Sequence, residues 1–175
     1  MKKKLLVSVL SICTLLFFSC SDENDSVLDI TEAGIVGDWN LTGFNLTDGE
    51  TSITLNGVTS ISTFEAVGKD YDLELSFGLN PKTFTADGSY NLVFTITTMG
   101  ETTTQEQEGE DIFDASEWRL AGNTLLFGSG DDETGFVITS LSDTEMILES
   151  ELNDSSEFSG TMIETKLKYL VRLTR

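Results

Sequence analysis

Within 175 residues the chain carries 30 acids against 10 bases, a formal charge of −20, and no His. A surface that acidic repels a phosphate backbone, so no nucleic-acid partner is expected. The missing imidazole removes the ordinary near-neutral general base and the commonest metal ligand, so neither an enzyme nor a bound cofactor is expected.

The N-terminus reads as an address. Lys2, Lys3 and Lys4 precede an apolar run from Leu5 to Phe18, and Ser19-Cys20 opens a polar stretch. A basic start, a short apolar run and a small residue before the break are the marks of a secretory signal. The run is shorter than the roughly 20 apolar residues that a spanning helix needs. Because Cys20 stands at the break, the segment resembles a bacterial lipoprotein signal cleaved before that Cys, although Phe17 and Phe18 depart from the usual Leu-small-small-Cys box. An ordinary secretory signal is the alternative. The resemblance implies a signal peptide over 1–19, lipid (palmitate among the acyl chains) on Cys20 and a tether over 20–32. Removal of Lys2, Lys3 and Lys4 takes the formal charge to −23. Anionic lipid repels such a chain, so two or more acyl chains must do the anchoring. Cys13 leaves with the signal, so no intrachain disulfide is expected. Ser21-Asp22-Glu23 behind the Cys resembles the surface-export signal of Bacteroidetes lipoproteins, which implies the outer membrane and an outward face. Asp25-Ser26-Val27 resembles the short O-glycosylation motif of that phylum; an unmodified Ser26 is the alternative.

One Pro, 15 Gly and frequent β-branched residues point to an all-β domain. Residues 27–33 form a linker or one helical turn. From Gly34 onward, short apolar/polar alternations with period 2 are separated by turn pairs. Trp39, Leu41 and Gly43 alternate with Asn40 and Thr42, then Asp48-Gly49 reads as a turn. Thr51 to Ile61 alternates around Asn56-Gly57. Leu73, Leu75 and Phe77 face one way. Asp87-Gly88 reads as a hairpin turn before Tyr90, Leu92, Phe94 and Ile96. Glu101 to Glu110 is acidic yet alternating, an exposed ribbon whose charge blunts edge pairing. Trp118 and Leu120 turn through Gly122-Asn123 to Leu125 and Phe127; Phe136 and Ile138 turn through Ser142-Asp143 to Met146 and Leu148. Leu167, Tyr169, Val171 and Leu173 share one face of the last strand, opposite Lys168 and Arg172.

About eight to ten strands at hairpin spacing fit an antiparallel up-and-down β-barrel or a sandwich. The order of motifs favours the barrel. Ile35-Val36-Gly37-Asp38-Trp39-Asn40-Leu41-Thr42 resembles the first strand of lipocalin-like domains. Phe84-Thr85-Ala86-Asp87-Gly88-Ser89-Tyr90 and Trp118 with Gly122-Asn123-Thr124-Leu125 resemble hairpins of the compact bacterial branch of that family, as do Leu141-Ser142-Asp143 and Tyr169-x-x-Arg172-Leu173. The resemblance covers residues 33–175; the segments at 101–114 and 150–160 depart from it. It implies a lipocalin-like β-barrel with Arg175 set across Trp39 where first and last strands pair.

The inward set is Trp39, Leu41, Leu73, Leu75, Phe77, Tyr90, Leu92, Phe94, Ile96, Trp118, Leu120, Phe127, Phe136, Ile138, Met146 and Leu148. One reading is a pocket for a small apolar ligand, with Tyr90 and Tyr169 as polar handles. The other is a dry, filled interior, because alternation fixes facing and not the space between side chains. Asp131-Asp132-Glu133, and Asp70 with Asp72, supply carboxylates without the spacing of a calcium loop, so no metal is expected. Two functions follow: a cell-surface carrier of a small hydrophobic molecule, or a structural or interaction lipoprotein of the envelope. Either is expected as a monomer held to the membrane through Cys20.

Overall fold

The computed structural model describes residues 29–109, 116–130 and 133–175. One helical turn, α1 (Glu32–Ile35), precedes nine strands: β1 (Gly37–Leu55), β2 (Val58–Phe77), β3 (Phe84–Thr98), β4 (Glu101–Glu108), β5 (Trp118–Ala121), β6 (Thr124–Phe127), β7 (Thr134–Leu141), β8 (Glu145–Phe158) and β9 (Thr161–Thr174). They make one antiparallel sheet in the order β4-β3-β2-β1-β9-β8-β7-β6-β5. The fold is therefore all-β, and the last strand lies against the first.

The sheet is not closed into a barrel, which corrects the expectation from the sequence. Its edges, β4 and β5, share no ladder. A single bridge, Thr83 with Glu117, joins the residue before β3 to the residue before β5. Beside it the Phe84 N–H donates to the Ser116 carbonyl (2.9 Å) and the Trp118 N–H to that of Lys82 (3.4 Å). The cause is strand length. β4 pairs only with Asn91–Thr98 of β3, and the four residues of β5 stand at the other end of that strand.

The sheet nevertheless curls about one core. Phe77 of β2 meets Trp118 of β5 with centroids 5.7 Å apart and Phe127 of β6 at 6.0 Å; Phe84 of β3 meets Phe127 at 4.8 Å. Those strands stand towards opposite edges of the sheet, so they touch only because it wraps round. Each such aromatic contributes about 1.5–3 kcal/mol by leaving water, and each edge or tilted pair about 0.5–1.5 kcal/mol more. At the end where β1 begins, α1 lies under the core, with Thr31 Oγ1 accepting from the Gly34 N–H (3.3 Å) and Ile35 fully buried.

Beyond this core β1, β2, β3, β4, β8 and β9 run on as an open extension. Its three hairpin tips, Asn56-Gly57, Met99-Gly100 and Ser159-Gly160, each have positive φ at both residues, the handedness that suits two-residue hairpins. With 19 residues β1 alone spans about 60 Å.

Two turns expected from the sequence lie within continuous strands. Asp48-Gly49 is a register shift inside β1, between Leu46 and Gly49, with Asp48 at φ 54°. Gly49 is there because a Cβ would stand 2.3 Å from the Phe64 carbonyl oxygen. Asp87-Gly88 lies inside β3, and Gly88 at φ 115° passes close to the Asp72 backbone. A further shift between Leu41 and Gly43 re-phases β1, so that Phe44 and Leu46, rather than Gly43, continue the buried row of Trp39 and Leu41.

Candidate functional site

Most of the inward set converges on the core. Trp39, Leu41, Leu73, Leu75, Phe77, Tyr90, Leu92, Trp118, Phe127, Phe136, Ile138, Met146 and Leu148 are all buried. Phe94, Leu120 and Tyr169 pack against this core half-buried, and Ile96 lies further out on the extension. The core also takes Ile35, Phe44, Leu46, Ala66, Phe84, Leu125, Leu167, Val171 and Leu173. Phe44 and Leu46 were hidden by the shift in β1, which period 2 does not register. Phe84 was read only as part of a hairpin motif.

The interior of the curl is filled by aromatic rings. Besides the three contacts above, Phe77 meets Phe84 at 5.0 Å and Phe127 meets Phe136 at 5.8 Å. Both indoles are satisfied from within, Trp39 Nε1 donating to the Ile35 carbonyl and Trp118 Nε1 to that of Gly78, each at 2.7 Å. Tyr90 and Tyr169 flank Phe44, at 5.5 and 5.9 Å. Tyr71 stacks on Tyr90 at 6.4 Å, and its hydroxyl accepts from the Phe44 N–H at 2.9 Å where β1 is irregular.

Arg175 lies across Trp39, its guanidinium carbon 4.2 Å from the ring centroid. Its nitrogens donate to the carbonyls of Asp143 (2.8 Å), Val36 (3.0 Å) and Gly34 (3.2 Å), so the last residue ties α1, the start of β1 and the β7–β8 turn together. Asp38 is engaged elsewhere, accepting from Ser76 at 2.7 Å.

Several open clefts lie around this core, among them three large ones. The mouth cleft, about 430 Å³, lies where β8 outruns β7 and is lined by Phe136, Ser150, Leu152 and Tyr169 beside Glu133 and Gly135. The seam cleft, about 670 Å³, lies between Pro81–Thr83 and Ser116–Arg119, with Glu133 on its wall. There Lys82 pairs with Glu32 and stands 5.6 Å over Trp118, while Arg119 pairs with Glu133. The hydrogen bonds that Arg119 donates to the Glu133 carboxylate raise the Arg119 pKa above its ordinary value. A third cleft of about 520 Å³ opens on the outer side of β1 and β2, around Glu50 and Glu65. Sequence spacing carried no signal for the seam, since its residues come from three separate segments.

The two faces of the extension differ in charge. Cross-strand register puts Thr51, Ile53 and Leu55 of β1 on the core side with Val58, Ser60, Ser62 and Phe64 of β2 and Thr161, Ile163 and Thr165 of β9. Thr98, Ile96, Thr103 and Glu101 continue that face to one margin, and Asp154, Ser156 and Phe158 to the other. Only Glu101 and Asp154 on it are charged. The opposite face carries Glu50, Glu65, Glu106, Glu151, Glu157, Glu164, Lys166 and Lys168. On the uncharged face hydroxyls satisfy one another, as in Ser62 with Thr98 at 2.8 Å and Thr51 with Thr165 at 3.3 Å. Residues 51–64 and 88–100 hold no charged side chain on either face, so the contrast between the faces comes from Glu50 and Glu65 at the base and from β4, β8 and β9.

Among the described residues no group of three or more His, Cys, Asp or Glu is placed to hold a metal. Asp70 accepts from Asn91 and lies near Lys69. No described helix is long and apolar enough to cross a membrane. Cys20, Ser26, the signal, most of the tether, Asp131 and Asp132 lie outside the described residues. Comparison of the chain with protein-family models, curated proteins and solved structures finds no match.

Proposed function

We propose that this is a lipid-anchored protein of the outer membrane, attached through Cys20 and facing outward. In this reading its lipocalin-like domain is a filled support for the extension, and the protein serves as a structural or interaction component of the envelope. The observation that carries it is the interior, where Phe77, Phe84, Trp118 and Phe127 occupy the space a carried molecule would need. The likeness to lipocalin-like domains is supported by the succession of strands, each beside its sequence neighbour within β1–β4 and within β5–β9, and by β9 returning to β1 with Arg175 over Trp39. Among the described residues the chain begins beside α1, at the end of the sheet opposite the hairpin tips. No enzymatic step is part of this reading, since the sequence has no His to act as a near-neutral general base.

The mouth cleft favours a second reading, a carrier of a small apolar molecule held between Phe136, Leu152 and Tyr169. Its volume lies within the range of small-molecule sites. Native mass spectrometry of the protein from its own cells separates the two. An unliganded mass, with quenching by fatty acid and retinoid-like probes that does not saturate, supports the interaction protein; a retained small molecule refutes it. Cys20→Ala should move the protein from membranes to the soluble fraction. A variant still bound after carbonate washing would refute the anchor.

A further inference from the structure

We propose that the uncharged face of the extension docks on the same face of a second copy, in a two-fold, face-to-face pair of sheets. This names the partner of the interaction reading and so rests on it, yet it fails separately: a monomer that retains no small molecule ends this inference alone.

Charge and area argue for a second copy. Two chains of formal charge −20 repel through nearly any patch of their surfaces. Around Ile53, Leu55 and Ile163 they meet without placing acid against acid. Like charges brought together across an interface cost several kcal/mol, so the uncharged face is where self-association costs least. The two acids that the face does carry, Glu101 and Asp154, lie on its opposite margins, on β4 and β8, where a solvated polar rim belongs.

The size of the face suits a dimer. The 17 face residues named above, at strand spacings of about 4.8 Å and same-face spacings of about 6.7 Å, cover about 550 Å² per copy, or about 1,100 Å² for the pair. That clears the roughly 1,000 Å² expected of a specific interface. The apolar side chains at the tip are uncovered in the single chain, with Val58 74% and Phe158 77% exposed. Sheets packed face to face stand about 10 Å apart and interdigitate such rows, which is how the core half of this same sheet buries its own. An acidic or basic partner finds no complementary charge here.

The test uses adjacent residues on opposite faces. Ser60 lies on the uncharged face and Thr59 on the other. The full-length protein carrying Ser60→Cys or Thr59→Cys is treated in intact cells with a membrane-permeant bismaleimide, against the parent chain as baseline for Cys13 and Cys20. Ser60→Cys should give a species of twice the chain mass and Thr59→Cys none. The protein extracted from membranes into nanodiscs is then titrated by mass photometry. Ile53→Lys, on the uncharged face, should raise the dimer dissociation constant at least about tenfold, whereas Ile61→Lys, similarly exposed on the other face, should leave it within about twofold. If Ile53→Lys fails to fold, Phe158→Glu at the exposed tip serves in its place. Higher salt should tighten the dimer by screening the net charge. Absence of the doubled species, cross-linking through Thr59→Cys instead, a larger effect from Ile61→Lys, or cross-linking of Ser60→Cys only to a different protein would each overturn the proposal.

Discussion

Arg175 and Arg172 sit three residues apart at the end of the chain, and the two should differ sharply in what they contribute. Arg172 lies on the outer face, 3.5 Å from Glu145, with both side chains substantially exposed. Pairs of that kind are worth about 0–1 kcal/mol. Arg175 instead makes three hydrogen bonds to backbone carbonyls, at 2.8, 3.0 and 3.2 Å, and stacks over Trp39. Three net hydrogen bonds at about 0.5–1.5 kcal/mol each and a partly exposed cation–π contact of about 0.5–1 kcal/mol make a gross gain of about 2–5 kcal/mol. Ordering the side chain costs up to about 2 kcal/mol, and the freed carbonyls are rehydrated, so a net loss of about 1–2 kcal/mol is expected on truncation. Urea unfolding followed by tryptophan fluorescence reads this directly. With a slope of about 2 kcal/mol/M, Arg175→Met should lower the midpoint by about 0.5–1 M, and Arg172→Met by less than about 0.3 M. Arg175→Lys should recover only part of the loss, because an ammonium cannot reach three carbonyls in a plane over the ring. Equal midpoints for Arg175→Met and Arg172→Met would refute the assignment of Arg175 as the tie between the first and last strands.

Phe127→Ala removes the ring that meets Phe77, Phe84 and Phe136 across the curl, and should cost about 3–5 kcal/mol in urea unfolding; a loss under about 1 kcal/mol would mean the two ends of the sheet do not share a core. Gly49→Ala places a methyl 2.3 Å from a backbone oxygen and should cost about 1–3 kcal/mol, with amide shifts in β1 and β2 by NMR; an unshifted spectrum would deny the close approach. Lys69 and Lys168 have pKa values raised above 10.5, Lys69 chiefly by its hydrogen bond to Glu106 and Lys168 by that to Asp48. Their folded values exceed the unfolded ones, so the contribution is full below about pH 10.5 and lost as pH rises through the folded values. The alkaline fall in urea midpoint should therefore be smaller in Lys69→Met Lys168→Met than in the parent, and an identical fall would exclude these pairs as its source.

Period 2 was legible wherever a strand keeps one phase. Alternation and turn pairs alone place β5 to β7, the start of β8 as far as Leu148 and the second half of β9, and the parity of Leu167, Tyr169, Val171 and Leu173 puts Arg175 on the side of Trp39; the rest of β8, over 150–158, looks in sequence like an insertion. The failures sit at irregularities. A residue added near Gly43 and another near Gly49 flip the phase of β1, and a Gly that turns the chain looks, in sequence, like one that merely lets two backbones pass. Asp87-Gly88 was mistaken for a turn for that reason. Closure was illegible for a different cause: the pattern says which face of a strand is apolar, not which strand its far edge will meet.

The same alternation runs through both halves of the long strands, so it cannot be what makes one half a core and the other an extension. Coverage decides. At the α1 end, β5, β6 and β7 supply short strands whose Trp118, Leu125, Phe127, Phe136 and Ile138 fold over the faces of β2 and β3. They end while β1, β2, β8 and β9 still have several residues to run, and nothing among the described residues covers the rows beyond. Composition changes at that boundary as well. Along β1 the inward row passes from Trp39, Leu41, Phe44 and Leu46 to Thr51, Ile53 and Leu55; along β9 it passes, in reverse, from Val171 and Leu173 to Thr165 and Ile163. A row meant for permanent burial would keep its Leu and Phe, and one meant for water would carry charge, as Glu164 and Lys166 do on the opposite face of β9. Alternating Thr and Ile is neither. It is a surface whose hydroxyls pair across strands and which still has apolar area to give when another surface arrives.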